Sequence, residues 1–144
     1  TANVKDLHLK VNRRYRSILY TLREMADDGI AIRLLHGAPP SRFFLDSLER
    51  SRLGERKNFA MKLCPRVHLK TVIVDGQRMF FGSPNFTGAG MGVKSATRRN
   101  FEIGIWTEDG DLIERVLGLY NEIWERRPCR KCGHRKTCPE WKGL

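Results

Sequence analysis

Apolar residues recur three and four apart over residues 9–27, at Val11, Tyr15, Ile18, Leu22 and Met25, while Arg13, Arg14, Arg16 and Arg23 fall mostly off that stripe. The spacing predicts an amphipathic helix with its arginines in water, stopped by Gly29. Residues 30–36 form a short apolar run that predicts a strand. After a turn-rich break at residues 37–40, Ser41 is placed to cap a second helix carrying Phe44, Leu45 and Leu48. Residues 59–64 and 68–75 read as further strands, the second with a β-branched run, 71–74, suited to a buried sheet. Asp75-Gly76 is a hairpin signal, with residues 78–81 as the return strand. Residues 82–100, with Gly82, Gly88, Gly90 and Gly92, predict a long irregular loop. Residues 101–107 are the next strand. Asp109 or Asp111 opens a last helix carrying Leu112, Val116, Tyr120, Ile123 and Trp124, ended by Pro128. The order α-β-α-β-β-β-β-α predicts a layered mixed α/β (α+β) domain.

Composition adds little to that picture: 144 residues, 40% hydrophobic and 30% charged, fit one soluble globular domain. No apolar run approaches the ~20 residues of a membrane span, and no signal-peptide pattern opens the chain. Its first residue is Thr1, so a segment trimmed before it is not excluded. Reduced cysteines and the missing signal pattern point to the cytoplasm. Charge changes the picture more. Lys and Arg number 27 against 16 acidic residues, a net charge of +11. Such a field concentrates polyanions, which puts nucleic acid first among partner classes, an anionic membrane surface second and a plain solubility charge third.

The chemistry is concentrated in one stretch. His68-x-Lys70-x4-Asp75 is followed by Gly82-Ser83-x-Asn85. Strand alternation places His68 and Lys70 on one face. An imidazole beside an ammonium suits a phosphate: the lysine neutralises a non-bridging oxygen while the histidine attacks phosphorus or supplies a proton. Asn85 adds a neutral donor, and Gly82 lets the backbone turn close by.

These residues, HLKTVIVD and GSPN, resemble the signature of the phospholipase D superfamily, and the order of elements extends the resemblance over residues 1–126. The resemblance implies a phospholipase D-like sheet flanked by helices, with the first strand truncated or absent because only residues 1–4 are available for it. It implies that His68 attacks phosphorus to form a phosphohistidine, that Lys70 and Asn85 hold phosphoryl oxygens, that Ser83 positions the phosphate, and that Asp75 is structural or tunes the hydrogen bonding. Glu102 resembles the family acid that orients the nucleophilic histidine. No metal is required for catalysis. A second histidine must protonate the leaving oxygen, yet one motif is present, so a twofold homodimer with the site at its interface is favoured over the alternative that this chain is half of a longer polypeptide.

Nucleases and lipases share this chemistry. Lys94, Arg98 and Arg99 follow the motif and suit a polyanionic backbone, whereas Phe86 and Met91 offer only a small apolar entrance. The reading is therefore a metal-independent nuclease acting on DNA or RNA. The alternatives are a phospholipase or phosphatidyl transferase, and a catalytically silent nucleic-acid-binding module. His8 and His36 read as ordinary surface or core histidines, and Asp109 and Asp111 as helix-start residues.

Residues 127–144 form a cysteine-rich tail expected to pack on the same domain. Cys129-x2-Cys132-x5-Cys138, with Gly133 and His134 inside, reads as a metal knuckle. Cys64 is favoured over His134 as fourth ligand, and structural zinc over a 4Fe–4S cluster. The cysteine spacing also resembles the iron–sulfur staple of some RecB-type nucleases.

Overall fold

The computed structural model describes residues 1–11, 13–95 and 97–141 and, of Val11, the backbone. Along the chain lie strands β1 (His8–Val11) and β2 (Arg14–Ser17), helix α1 (Ile18–Asp27), β3 (Ile32–His36), α2 (Arg42–Ser51), β4 (Phe59–Leu63), β5 (Thr71–Val74), β6 (Arg78–Gly82), β7 (Gly104–Thr107) and α3 (Gly110–Trp124). Short 3-10 turns occupy Leu53–Glu55 and Arg127–Lys131. The mixed α/β class expected from the sequence is the one observed.

The first predicted helix is shorter than its apolar spacing indicated. β1 and β2 form an antiparallel hairpin, with His8 opposite Ser17 and Val11 opposite Arg14. Arg13 takes the left-handed φ of 66° that closes such a turn; Asn12, and Val11 as a member of the apolar stripe, lie outside the described residues. The helix starts only at Ile18, because the Ser17 hydroxyl caps it by accepting from the Leu19 N–H at 3.1 Å. The cap resets the buried face to Leu19 and Ala26, flanked by Ile18 and Leu22, and leaves Tyr15 71% exposed on the hairpin. A helical period continued through a hairpin by chance explains the difference.

β3 and β4 pair in parallel, from Ile32 opposite Phe59 to His36 opposite Leu63. Ile32, Leu34, Phe59 and Met61 pack against the buried cluster of Val4, Leu19, Ala26, Phe44 and Leu53. From the alternate positions Lys62 and Arg33 meet Trp124 at the end of α3: the Lys62 ammonium lies 4.5 Å from the indole centroid and donates to the Trp124 carbonyl at 2.8 Å, and the Arg33 guanidinium stacks at 5.7 Å. Helices thus cover both faces of this sheet. Ser41 caps α2 and Asp109 caps α3, each accepting from the amide three residues on. α3 ends at Trp124, and Arg126 follows at φ 63°; Pro128 lies beyond, inside the next 3-10 turn, and is not the terminator.

β5, β6 and β7 make a second, antiparallel sheet. Its strands are shorter than predicted: β5 begins at Thr71, although Lys70 extends the ladder by accepting from Gly82 N–H at 3.1 Å, and β7 begins at Gly104. Residues 1–5 tie the two sheets together. The Ala2 carbonyl accepts from Gly37 and Ala38, Lys5 N–H donates to Phe86 O at 3.0 Å, and Val4 bridges Phe86 in parallel. The first strand, expected to be truncated or absent, survives as this short extended link.

Candidate active site

The loop from β4 to β5 sets the first two groups. A turn closed by Val67 N–H on the Cys64 carbonyl at 2.9 Å buries Val67 and leaves the next residue, His68, exposed. The Lys70 ammonium lies 3.1 and 3.3 Å from the two ring nitrogens of His68 and donates to the His68 carbonyl at 3.0 Å. An ammonium has donors only, so this pair offers a fixed cation beside an accessible imidazole. His68 and Lys70 lie together as predicted, but on an extended lead-in and not on a regular strand.

Asn85 is held from two sides. Its Oδ1 accepts from the Asn3 amide at 3.0 Å, which commits the carboxamide oxygen and leaves the NH2 end to act as donor. Its backbone carbonyl accepts from Thr87 N–H at 2.7 Å, while Gly90 packs so closely that an added Cβ would stand 2.6 Å from Asn85 O and 2.9 Å from Asn85 N. Asn3 and Gly90 are positions against Asn85 that sequence reasoning missed. Gly90 stood out only as one of several loop glycines, and Asn3 carries no local signal.

Ser83 donates to Glu102, and its hydroxyl accepts from Ile103 N–H at 3.1 Å. The other oxygen of Glu102 accepts from Asn100 Nδ2 at 2.9 Å. These bonds, from Ser83 first and Asn100 second, hold the Glu102 carboxyl below the usual carboxylate range, and the nearby Lys70 charge acts in the same direction. Glu102 is thus a carboxylate oriented by Ser83 and Asn100, and among the described residues its hydrogen bonds go to these two side chains and not to His68. Arg99 and Glu102 line an open groove of about 420 Å³ with Phe80, Pro84, Met91 and Phe101. Lys94 and Arg98 are exposed on the same loop.

Asp75 is elsewhere. It occupies the tight β5–β6 turn with φ 53°, followed by Gly76 at φ 67°, with Gln77 N–H closing on Val74 O at 3.0 Å. Seven residues of near-extended chain, roughly 3.3 Å each, separate it from His68. Although grouped with the catalytic residues, Asp75 takes the structural one of the two roles expected for it: with Gly76 it builds the predicted hairpin turn. His36 is a buried core histidine whose Nδ1 lies 2.9 Å from the Ala38 carbonyl, and His8 is exposed, as expected.

Residues 9–124 match the family model described as cardiolipin synthase, PLD-like domain. The chain belongs to the phospholipase D-like family. Among solved structures it is similar to NucT from Helicobacter pylori, with TM-score 0.58 and 16% identity over 87% of this chain and 80% of that one. It is also similar to TrmBL2, an archaeal chromatin protein whose structure is described as showing a novel mode of DNA binding, with TM-score 0.51 and 18% identity over 87% of this chain and 44% of that one. At these identities the likeness is one of fold. No curated protein matches the sequence. Among the described residues no helix is long and apolar enough to cross a membrane.

The phospholipase D-like match stops before the cysteine-rich tail. The structure brings Cys64, Cys129, Cys132, Cys138 and His134 to one pocket, with all four thiols free. Burial pushes the Cys129 thiol up, and the neighbouring Cys64, Cys132 and Cys138 add to that shift. The His134 N–H holds the Cys132 thiol down, with Arg66 acting in the same direction. As placed, no three His, Cys, Asp or Glu side chains form a ready coordination shell among the described residues. Residues 142–144 of the tail lie outside the described residues.

Proposed function

We propose that this phospholipase D-like chain is a phosphodiesterase that cleaves nucleic acid without a catalytic metal, as a homodimer. The observation that carries the reading is the Lys70 ammonium 3.1 Å from the ring of an exposed His68, on a chain of net charge +11. A ring nitrogen of His68 attacks phosphorus; the N–P bond forms as the bond to the leaving oxygen breaks. His68 of the partner subunit gives that oxygen its proton. Water then attacks phosphorus, the N–P bond breaks, and the water's proton passes to His68 of the partner subunit. Lys70 and the NH2 of Asn85 stabilise the charge on the non-bridging oxygens. Glu102, fixed by Ser83 and Asn100, adds an oriented carboxylate beside Lys70.

The likeness to TrmBL2, a chromatin protein whose structure is described as showing a novel mode of DNA binding, supports nucleic acid as the substrate class. Lys94, Arg98 and Arg99 would track the backbone. In binding assays on labelled single-stranded DNA and RNA across a salt series, Arg98→Ala and Arg99→Ala are each expected to lower the slope of log affinity against log salt by about 1. An unchanged slope in both variants removes these residues from the interface.

A second reading is a phospholipase or phosphatidyl transferase, favoured by the family description and by Phe101 and Met91, which are exposed at the groove. Phospholipid vesicles offered beside DNA and RNA decide between them, and binding without turnover of any substrate would mark a silent binding module.

Gly90→Ala tests the site through its backbone. Neither Asn85 atom facing the new methyl can swing away, so Asn85 must move, and a displacement near 1 Å is expected to lower turnover about 10²-fold. Gly88→Ala is the control: its Cβ would meet only Lys94 Cγ at 4.0 Å. Equal turnover in the two variants would show that Asn85 does not act.

A further inference from the structure

Residues 127–141 carry five Lys and Arg side chains, three cysteines and, as their only large apolar side chain, Trp141. The segment has no strand and no α-helix beyond the 3-10 turn at its start. So little apolar surface cannot offset the entropy of fixing the chain, and the like charges repel one another. The tail is nevertheless folded into consecutive tight turns. Cys132 N–H donates to Cys129 O at 3.1 Å, Arg135 N–H to Cys132 O at 3.2 Å and Trp141 N–H to Cys138 O at 3.1 Å. The Arg66 guanidinium lies 3.9 Å from the Cys132 sulfur. These turns aim the three tail cysteines at the pocket that also holds Cys64, whose own N–H extends the β3–β4 sheet by donating to His36 O at 2.9 Å.

We propose that Cys64, Cys129, Cys132 and Cys138 bind one zinc ion that clips the tail to the end of β4. Four thiolates are a complete tetrahedral set for structural zinc. Their net charge with the ion is −2, and the Arg66 guanidinium, 3.9 Å from the Cys132 sulfur, together with Arg126 and Arg135 at the pocket, offsets it. The cavity is about 40 Å³. His134 is exposed, whereas Cys64 is half-buried at the pocket, which favours Cys64 as the fourth ligand. Because the turn from Cys64 to Val67 delivers His68, the ion would fix the origin of the lead-in to that residue.

The test is metal content, zinc and iron together, of the full chain purified without chelator. It is joined by the absorption spectrum after replacement by Co(II) and by thermal unfolding before and after chelation. One zinc per chain, a tetrathiolate Co(II) spectrum, and a melting temperature lowered by about 10 °C or more on metal removal are expected. Cys64→Ser is expected to purify without stoichiometric zinc, while His134→Ala keeps it. Iron with acid-labile sulfide, or four reactive thiols and no metal, overturns the proposal. Zinc retained by Cys64→Ser, or lost by His134→Ala with a Co(II) spectrum showing nitrogen ligation in the wild type, overturns the ligand set. The wild-type spectrum stands even where a serine variant fails to fold.

Discussion

His68→Ala is expected to lower phosphodiester cleavage by roughly 10⁴- to 10⁶-fold, the range for loss of a covalent nucleophile. Affinity for the same nucleic acid should stay within about threefold, because phosphate contacts by Lys and Arg supply the binding. His68 is exposed, so its truncation removes no core packing and an unchanged melting curve is expected. The reaction is run without added divalent cation, on single- and double-stranded DNA, on RNA and on phospholipid. Asn85→Ala serves as the graded comparison. Losing one donor to the developing charge costs about 10²–10³ in turnover, so Asn85→Ala should retain measurable activity where His68→Ala retains none. Trapping labelled substrate by rapid acid-free denaturation should leave phosphorus bound to the wild-type chain and not to His68→Ala. Wild-type rates in His68→Ala would remove the phosphohistidine route altogether.

The sequence carried the parts of this site that depend on spacing. His68 and Lys70 fall two apart on extended chain whether or not a ladder forms, so their proximity was legible even though the strand begins only at Thr71. Glu102 was legible as a site acid but not its partners: Ser83 and Asn100 reach it from the two ends of a long loop, a juxtaposition no local period encodes. Asp75 shows the opposite case. Its place in the motif pointed to chemistry, but Asp-Gly at the centre of two β-runs is also a type I′ turn, and the backbone uses it as one. Residues 9–27 misled because helix and hairpin patterns overlapped there, and the Ser17 cap, which decides between them, is a single polar residue beside the apolar stripe. The link made by residues 1–5 rests on backbone hydrogen bonds to residues 37, 38 and 86, and backbone pairing across such distances has no side-chain signature.

Trp106→Asp is expected to give a monomer whose cleavage is lost, although Trp106 lies in no groove that holds His68. The alternation of β5, β6 and β7 puts Val72, Phe80 and Trp106 in one row on a single face, with Val74 beside them; the other face carries Met79 into the core. On the open face Val72 is 42%, Val74 44% and Trp106 65% exposed, and Phe101 and Ile103 lie bare on the approach to β7. An apolar surface of this kind suits an interaction site, and the proposed mechanism, which would use two histidines from chains that carry one motif each, makes a second copy its expected occupant. A charge placed there would be buried unpaired twice in a twofold interface, while in the monomer it faces water and leaves the fold intact. Light scattering reads the assembly, and mixing reads the sharing of the site. If wild type and His68→Ala exchange freely at equal amounts, about a quarter of dimers are wild type on both sides. Activity should then fall to about a quarter of that of wild type at the same total concentration, against about half if each chain works alone. A value of one half, or a fully active Trp106→Asp monomer, would place both histidine roles within one chain and leave the apolar face to another partner.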